Sequence, residues 1–154
     1  MDRLNRDQIL SLIAKTFEER IPFNRLLGFE IEFDSNHAAK LVFGMSAELI
    51  GNFLRGTLHG GVISSSLDVA GGLSAFLGVF DESPIHSFKE GSEYFSRLGT
   101  VDLRVDYLRP GLGKSFCATS AVVRVGKRIA VSRMELRNDS DTLIAIGTGT
   151  YSIG

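Results

Sequence analysis

The spacing of hydrophobic and polar residues predicts an amphipathic helix near the start of the chain. Over residues 5–20 apolar side chains recur every three or four positions, which places them on one helical face. Asn5 is suited to cap this helix, and Gln8 three residues later completes a capping box. Pro22 is expected to end the helix. The apolar face consists of Ile9, Leu12, Ile13 and Phe17.

The pattern then changes to short stretches that are typical of strands. Two strands are predicted, over residues 28–34 and 39–46, and the second shows the alternation expected of a half-buried strand. Residues 51–56 follow as a predicted loop. The alternating apolar side chains of the second strand are Leu41, Phe43 and Met45.

A long segment with almost no charge begins at Gly60. It runs for 21 residues to Phe80 with a single charged side chain, and its Ala, Leu and Ser content favours a helix ending near Gly78. Gly71 and Gly72 lower its helix propensity by about 1 kcal/mol each relative to Ala. A helix tolerates glycine where another element packs very close to its backbone, so this helix is predicted to be buried and central.

The same segment is long enough to raise the question of a membrane span. Its five glycines, four serines and one aspartate make it a poor lipid-facing helix. We therefore expect no membrane association. Residues 1–7 lack the apolar core of a signal peptide, so a cytoplasmic location is expected.

The second half of the chain alternates with period two and predicts four further strands. In the first of them, Val101, Leu103, Val105 and Tyr107 alternate with mostly charged residues and should share one face. In the third, the apolar face shifts, which a bulge near Ser132 would explain. The remaining strands are predicted over residues 115–125, 128–137 and 142–153, with turns at 126–127 and 138–141.

These elements predict an α+β architecture in which a long antiparallel sheet wraps around one central helix. The 154 residues, 44% hydrophobic and 23% charged, fit one globular domain. A sheet that covers one side of a helix leaves the other side and an edge strand open, so a homodimer is expected.

Composition restricts the partners and cofactors. A net charge of −1 gives no reason to expect nucleic acid or a membrane surface as a partner. Cys117 is the only cysteine, which excludes an intrachain disulfide. His37 and His86 have no metal-ligand spacing, and we expect neither a metal nor an organic cofactor.

Asp68 is the residue most suggestive of chemistry. It is the only ionisable residue from Gly60 to Phe80, and a carboxylate in a buried helix is rare unless it is paired or functional. At the helix start, Gly60 and Gly61 leave backbone N–H groups unhindered, which suits a carbonyl oxygen that becomes negative. A carboxylate and an oxyanion site are what thioester hydrolysis requires. The structural alternative is an exposed aspartate or the partner of an arginine.

Helix geometry constrains how these groups cooperate. Gly60 and Asp68 are eight residues apart, which corresponds to about 12 Å along a helix. That distance is too long for both to act on one carbonyl. If they cooperate, one of them must come from an antiparallel helix of a neighbouring subunit.

The residues around this helix resemble the signature of a known enzyme family. Leu58-His59-Gly60-Gly61 followed by Asp68 is similar to the motif of the hotdog-fold acyl-CoA thioesterases, most closely the phenylacetyl-CoA-type (PaaI-like) branch. The resemblance covers about residues 25–154. It includes three later segments, at residues 100–111, 126–128 and 145–151.

The resemblance implies a role for each candidate site residue. Asp68 would be the nucleophile or general base, and the Gly60 N–H would polarise the thioester carbonyl. His59 would hold the helix entry or, alternatively, only satisfy backbone groups. Thr100 would lie near the attacking water or, alternatively, only start a strand. Further candidates are Asn52, which would orient water or the carbonyl, and the substrate contacts Gly61 and Arg128, the latter at the CoA phosphates.

The resemblance also implies a hotdog fold over residues 1–154. Residues 1–20 would be an additional N-terminal helix, and residues 60–78 would be the central helix. The segment 81–99 would be either a lid over an acyl tunnel or an elaborated helix end that packs on its own domain. It contains Phe88, Tyr94 and Phe95.

The resulting hypothesis is an acyl-CoA thioesterase that forms a homodimer or a dimer of dimers with its active sites at the subunit interface. The alternative from another functional class is a non-catalytic acyl-CoA-binding module on the same fold. An acyl-CoA hydratase is less consistent with the sequence, because no histidine is paired with Asp68 in the motif that such enzymes use.

Overall fold

The structure, a computed structural model, describes residues 4–82 and 86–154. The main helices and strands follow the predicted succession. The structure adds short elements that were not predicted at Pro22–Leu27, Ala47–Leu49 (3-10), Ile50–Asn52, Thr57–Leu58 and Phe88–Phe95, and the last part of the predicted first helix, Thr16–Arg20, is π-helical. The elements are α1 (Arg6–Lys15), α2 (Pro22–Leu27), β1 (Glu30–Phe33), β2 (Ala39–Gly44), β3 (Ile50–Asn52), β4 (Thr57–Leu58), α3 (Gly60–Glu82), α4 (Phe88–Phe95), β5 (Gly99–Tyr107), β6 (Ser115–Val125), β7 (Ile129–Asn138) and β8 (Leu143–Ser152).

A six-stranded antiparallel sheet holds the long helix α3 on one face. The strand order is β1-β2-β6-β7-β8-β5, so β5 is an edge strand although it lies in the middle of the sequence. The core between helix and sheet contains Leu67, Leu73, Leu136 and Ile144, each at most 1% exposed. This arrangement confirms the predicted α+β layout around a central helix.

Helix α3 is long and apolar enough to cross a membrane by length and composition alone. In the structure, however, 61% of its most apolar 18-residue window is buried inside the protein. The helix begins at Gly60 as predicted and continues beyond the predicted end at Gly78, to Glu82. It is the core helix of the fold.

Two hydroxyls of the sheet donate hydrogen bonds to α3. Ser120 donates to the Ala70 carbonyl at 2.7 Å, and Ser132 donates to the Gly71 carbonyl at 3.1 Å. The helix can approach the strands this closely because Gly71 has no side chain, and a Cβ there would overlap Met134. The close approach that the glycine pair predicted is therefore real at Gly71.

The N-terminal helix has the predicted cap but a different end. Asn5 and Gln8 each accept a hydrogen bond from the other's backbone N–H at 2.9 Å, which completes the capping box. Pro22 does not simply end the helix. It stands in the first turn of the short helix α2, where a missing N–H costs nothing. The helix α1 packs on the end of α3, with an ion pair from Arg6 to Asp81 at 2.7 Å.

The bulge predicted near Ser132 of β7 lies instead on the neighbouring strand β6. In β7 the residues Ala130, Ser132, Met134 and Leu136 are buried in unbroken alternation. The extra residue is Val123 on the neighbouring strand β6, opposite the Val131–Ser132 step. The prediction failed because Ile129 and Val131 were interpreted as core residues, whereas Ile129 is 48% exposed.

Two other segments also differ from the predictions. In β5 the register shifts between Thr100 and Asp102, so Val101 leaves the predicted apolar face and is 63% exposed. Residues 51–56 are not entirely a loop, because β3 extends to Asn52. Between α3 and β5, residues 88–95 form the helix α4, while residues 83–85 lie outside the described part of the chain.

Candidate functional site

The β3–β4 hairpin leads directly into the N-terminus of α3. There the His59 ring nitrogen Nδ1 accepts a hydrogen bond from the Gly61 N–H at 2.8 Å, so the side chain caps the helix. The His59 carbonyl accepts from the Val62 N–H at 2.9 Å, and the His59 N–H donates to the Leu49 carbonyl at 2.8 Å. The structural interpretation of His59 is therefore supported by these contacts. It also means that the Gly61 N–H is already engaged and unavailable to a substrate.

Gly60 is the remaining donor at this helix end. Within the described residues its N–H has no hydrogen-bond acceptor, while its carbonyl accepts from the Tyr107 hydroxyl at 3.1 Å. The ring of Tyr107 would lie 3.5 Å from a Cβ at Gly60, which is ordinary contact. Tyr107 thus fixes the Gly60 carbonyl, and the Gly60 N–H remains available as a donor.

Asp68 lies two turns further along α3 and is half-buried. The Thr100 hydroxyl at the start of β5 donates a hydrogen bond to Asp68 Oδ1 at 2.9 Å. No lysine or arginine forms an ion pair with this carboxylate in the part of the chain that the structure describes. The structural alternative of an arginine partner therefore has no support among these residues.

Burial dominates the electrostatics of Asp68. Removal of the carboxylate from water raises its pKa above the ordinary value, while hydrogen bonds from Thr100 and Tyr151 act in the opposite direction. A carboxylate with a raised pKa is a stronger base than an ordinary aspartate. Such perturbed groups in partly buried positions are typical of catalytic sites.

Two tyrosines that were not predicted as site residues contact the site. Tyr151 donates to the Asp68 main-chain carbonyl at 3.1 Å, and Tyr107 donates to the Gly60 carbonyl. Tyr107 had been assigned to an apolar strand face, and Tyr151 only to the closing hairpin. Their positions depend on which strands pair, and a single sequence carries no direct signal for pairing.

The predicted site residues do not all meet within one chain. Asn52 lies in an exposed turn, where its side-chain oxygen accepts from the Leu54 and Arg55 N–H groups, each at 3.2 Å. Arg128 is exposed in the β6–β7 hairpin, close to where Val125 packs against Gly78 of α3. Gly78 is eighteen residues from Gly60, or about 27 Å along a helix. Among the predicted site residues in the described part of the chain, side-chain hydrogen bonds thus join Asp68 with Thr100 and His59 with Gly61.

An apolar cavity of about 220 Å³ lies on the other half of α3. Phe76 lines it from α3, the N-terminal helices line it from one side and α4 lines it from the other. Phe95 contacts both Phe17 and Phe76 edge to face, with ring centroids 5.6 and 6.2 Å apart. Phe76 follows Asp68 by eight residues, so the cavity is about 12 Å further along the same helix.

Residues 55–145 match the family model of the thioesterase superfamily. The chain is 44% identical over 151 residues to the medium/long-chain acyl-CoA thioesterase YigI of Escherichia coli K12, covering 98% of this chain and 97% of that protein. YigI of Salmonella typhimurium has the same identity and coverage.

The three-dimensional comparison agrees with the sequence comparison. A crystal structure from Shewanella oneidensis, related to the thioesterase superfamily, matches with a TM-score of 0.89 at 43% identity. The match covers 96% of this chain and 97% of that chain. This relationship favours an enzyme over the non-catalytic module that the sequence left open. The chain belongs to the thioesterase superfamily, with its hotdog fold, and is a thioester hydrolase.

Proposed function

We propose that the protein hydrolyses medium- and long-chain acyl-CoA thioesters to a carboxylic acid and CoA. The observation that supports this most strongly is Asp68, a half-buried carboxylate without a cationic partner among the described residues and oriented by Thr100. The chain length follows from the relatives described as medium/long-chain acyl-CoA thioesterases, which align over nearly the whole chain. We further expect the cytoplasmic location inferred from the sequence.

Asp68 would act in one of two ways. As a general base, its carboxylate takes a proton from water, and the resulting hydroxide attacks the thioester carbonyl carbon and expels the CoA thiolate. As a nucleophile, the carboxylate itself attacks the thioester carbonyl carbon, expels the CoA thiolate and forms an anhydride, which water then cleaves to the free acid and the regenerated aspartate. In both routes Thr100 occupies Oδ1 and leaves the other carboxylate oxygen free to react.

The carbonyl oxygen needs a donor where its negative charge develops. The Gly60 N–H at the α3 N-terminus suits this role, because the helix dipole adds to the hydrogen bond. Since Asp68 is about 12 Å from the Gly60 of its own chain, the donor would come from a partner subunit. The edge strand β5 contains Thr100 and lies beside Asp68, which supports a homodimer built through this strand, with the site at its interface. A dimer of dimers would contain the same homodimer, with the site at the same interface.

The acyl chain would extend into the cavity in front of Phe76. The lining of this cavity is mainly aromatic and aliphatic. The cavity begins beyond Asp68, at a distance that a long acyl chain spans and an acetyl group does not.

Phe95→Trp should fill part of this cavity. We expect the variant to lose kcat/KM about tenfold for palmitoyl-CoA and to change little for acetyl-CoA. A uniform loss for both substrates would contradict the placement of the chain.

A thiol-release assay tests the substrate class directly. We expect kcat/KM for octanoyl- and palmitoyl-CoA to exceed that for acetyl- and phenylacetyl-CoA by at least tenfold. Fastest turnover of phenylacetyl-CoA would instead assign the protein to the phenylacetyl-CoA-type branch.

Replacement of Arg128 tests recognition of the CoA part. Arg128→Ala is expected to raise KM for acyl-CoA more than for a pantetheine thioester, since only the former has the nucleotide phosphates.

A further inference from the structure

Tyr151 lies under α3 in a space made by two glycines. The side chain is 1% exposed, and its hydroxyl donates to the Asp68 main-chain carbonyl at 3.1 Å. A Cβ at Gly71 would overlap this hydroxyl, and a Cβ at Gly149 would lie 2.5 Å from it. A phenol is therefore accommodated here only because two positions around it carry no side chain.

The hydroxyls of Tyr151 and Thr100 reach Asp68 from neighbouring strands. The two residues are direct partners in the antiparallel β5–β8 pair, and directly opposite side chains point to the same face of a sheet. Thr100 donates to the carboxylate, while Tyr151 donates to the main chain of the same residue. Asp68 is thus held at both its side chain and its backbone.

Within the described residues, the bond from Tyr151 is one of four in which sheet hydroxyls donate to main-chain carbonyls of α3. Tyr107 donates to Gly60, and Ser120 and Ser132 donate to Ala70 and Gly71, two and three residues beyond Asp68. Of these four main-chain bonds, only the one from Tyr151 ends on Asp68. The bonds from Ser120 and Ser132 fix the helix without touching Asp68, which makes them natural controls.

We propose that Tyr151 is a positioning residue for Asp68. Its hydroxyl fixes the helix backbone at Asp68, which keeps the carboxylate beside Thr100. The inference rests on the proposed role of Asp68 in hydrolysis, but the contact itself is independent of that role.

The electrostatics at this position agree with a permanent donor. Burial and the neighbouring Asp68 raise the pKa of Tyr151 far above its ordinary value, so the hydroxyl keeps its proton at any working pH. Hydrogen bonds from Tyr151 and Thr100 lower the pKa of Asp68 against the effect of burial. Among the described residues, Tyr151 is the titratable group that acts on Asp68, since no charged residue of α3, α4 or the strands contributes.

Titration of the Asp68 carboxyl carbon by NMR tests this role without reference to activity. Tyr151→Phe keeps the ring and removes one oxygen, so the pKa of Asp68 should rise. The acid limb of kcat/KM should move to higher pH in parallel, with kcat about tenfold lower and KM nearly unchanged. The matched control is Ser132→Ala, which removes a sheet-to-helix hydroxyl bond but should leave the titration of Asp68 where it is.

An Asp68 titration that is identical in the parent protein and in Tyr151→Phe would overturn the proposal. An equal shift in Ser132→Ala would also overturn it, because the effect would then reflect general anchoring of α3. If Tyr151→Phe does not fold, 3-fluorotyrosine at position 151 keeps the ring and makes the hydroxyl a stronger donor. The pKa of Asp68 should then fall, and an unchanged value would contradict the role. Failure of the proposed role of Asp68 would appear separately, as full activity of Asp68→Asn, and failure of the proposed function as a parent protein that does not hydrolyse acyl-CoA.

Discussion

At the scale of single residues, the proposed chemistry depends on a carboxylate that the fold partly removes from water. Asp68 is neither fully buried nor paired with a cation among the described residues, and two hydroxyls compensate for part of its lost hydration. Such a group is more basic than an ordinary aspartate, which favours proton abstraction or attack. It also destabilises the folded state whenever it is ionised, because burial disfavours the charged form.

Asp68→Asn should abolish activity and increase stability. We expect turnover to fall at least ~100-fold, a typical loss when a base or nucleophile is removed. Because folding raises the pKa of Asp68, this group stabilises the protein below the unfolded-state pKa of ~3.9, and the contribution is lost as pH rises through the folded-state pKa. Thermal melts should therefore show a higher Tm for the variant at pH 7 and a smaller difference near pH 4. A lower Tm at pH 7 would mean that the ionised carboxylate is stabilised.

Thr100→Val should change the pH dependence of catalysis. The substitution keeps the shape of the side chain and removes the hydroxyl that donates to Asp68 Oδ1. The ionised form of Asp68 loses a hydrogen bond, so its pKa and the acid limb of kcat/KM should move to higher pH. We expect kcat/KM to fall about tenfold at neutral pH. A pH profile that coincides with that of the parent protein would show that Thr100 only starts the strand.

At the scale of elements, the helix α3 could be predicted from the sequence, whereas the side chains that contact its Asp68 could not. A single aspartate in an otherwise uncharged run indicates both the central helix and its candidate reactive residue, because burial of a charge is costly. The contacts of Thr100 and Tyr151 depend on strand register. Bulges at Val101 and Val123 set that register, and they reflect tertiary pairing that period-two patterns do not encode. The glycines of α3 indicated close packing without naming the partner.

Adjacent glycines of α3 provide a matched test of this packing. A methyl group at Gly71 would collide with the Tyr151 hydroxyl, whereas one at Gly72 would lie 3.5 Å from the ring of Tyr151 in ordinary contact. Gly71→Ala should lower the free energy of unfolding by about 1–3 kcal/mol, the usual effect of overpacking. Gly72→Ala should be neutral or stabilising by up to about 1 kcal/mol through helix propensity. Urea denaturation measures both, and equal effects would contradict the geometry.

At the scale of the whole molecule, one chain holds the two groups of the proposed site at separate places. The Gly60 N–H lies at the start of α3, and Asp68 lies about 12 Å along it beside the edge strand β5. An open sheet edge is the natural place for a second copy to pair, and a two-fold axis there would set two α3 helices antiparallel. Each Asp68 would then face the Gly60 of the other chain, so dimerisation and catalysis would be one requirement.

Mixing two inactive variants tests the shared site. Asp68→Asn removes the carboxylate and Gly60→Pro removes the backbone donor. Proline is tolerated in the first turn of a helix, and Gly60→Ala controls for bulk, because a Cβ there makes only ordinary contact with Tyr107. In a mixed dimer one site receives both intact groups and the other receives both defects.

Random exchange of equal amounts gives half mixed dimers, each with one good site of two, so about a quarter of the parent activity should return. Circular dichroism and size-exclusion chromatography establish that both variants fold and dimerise, and a tagged subunit establishes exchange. If both groups came from one chain, no mixed dimer would contain an intact site and mixing would restore nothing. Absence of recovery after confirmed exchange would therefore exclude the shared site, while hydrolysis of acyl-CoA by the parent protein would still be decided by the substrate assay.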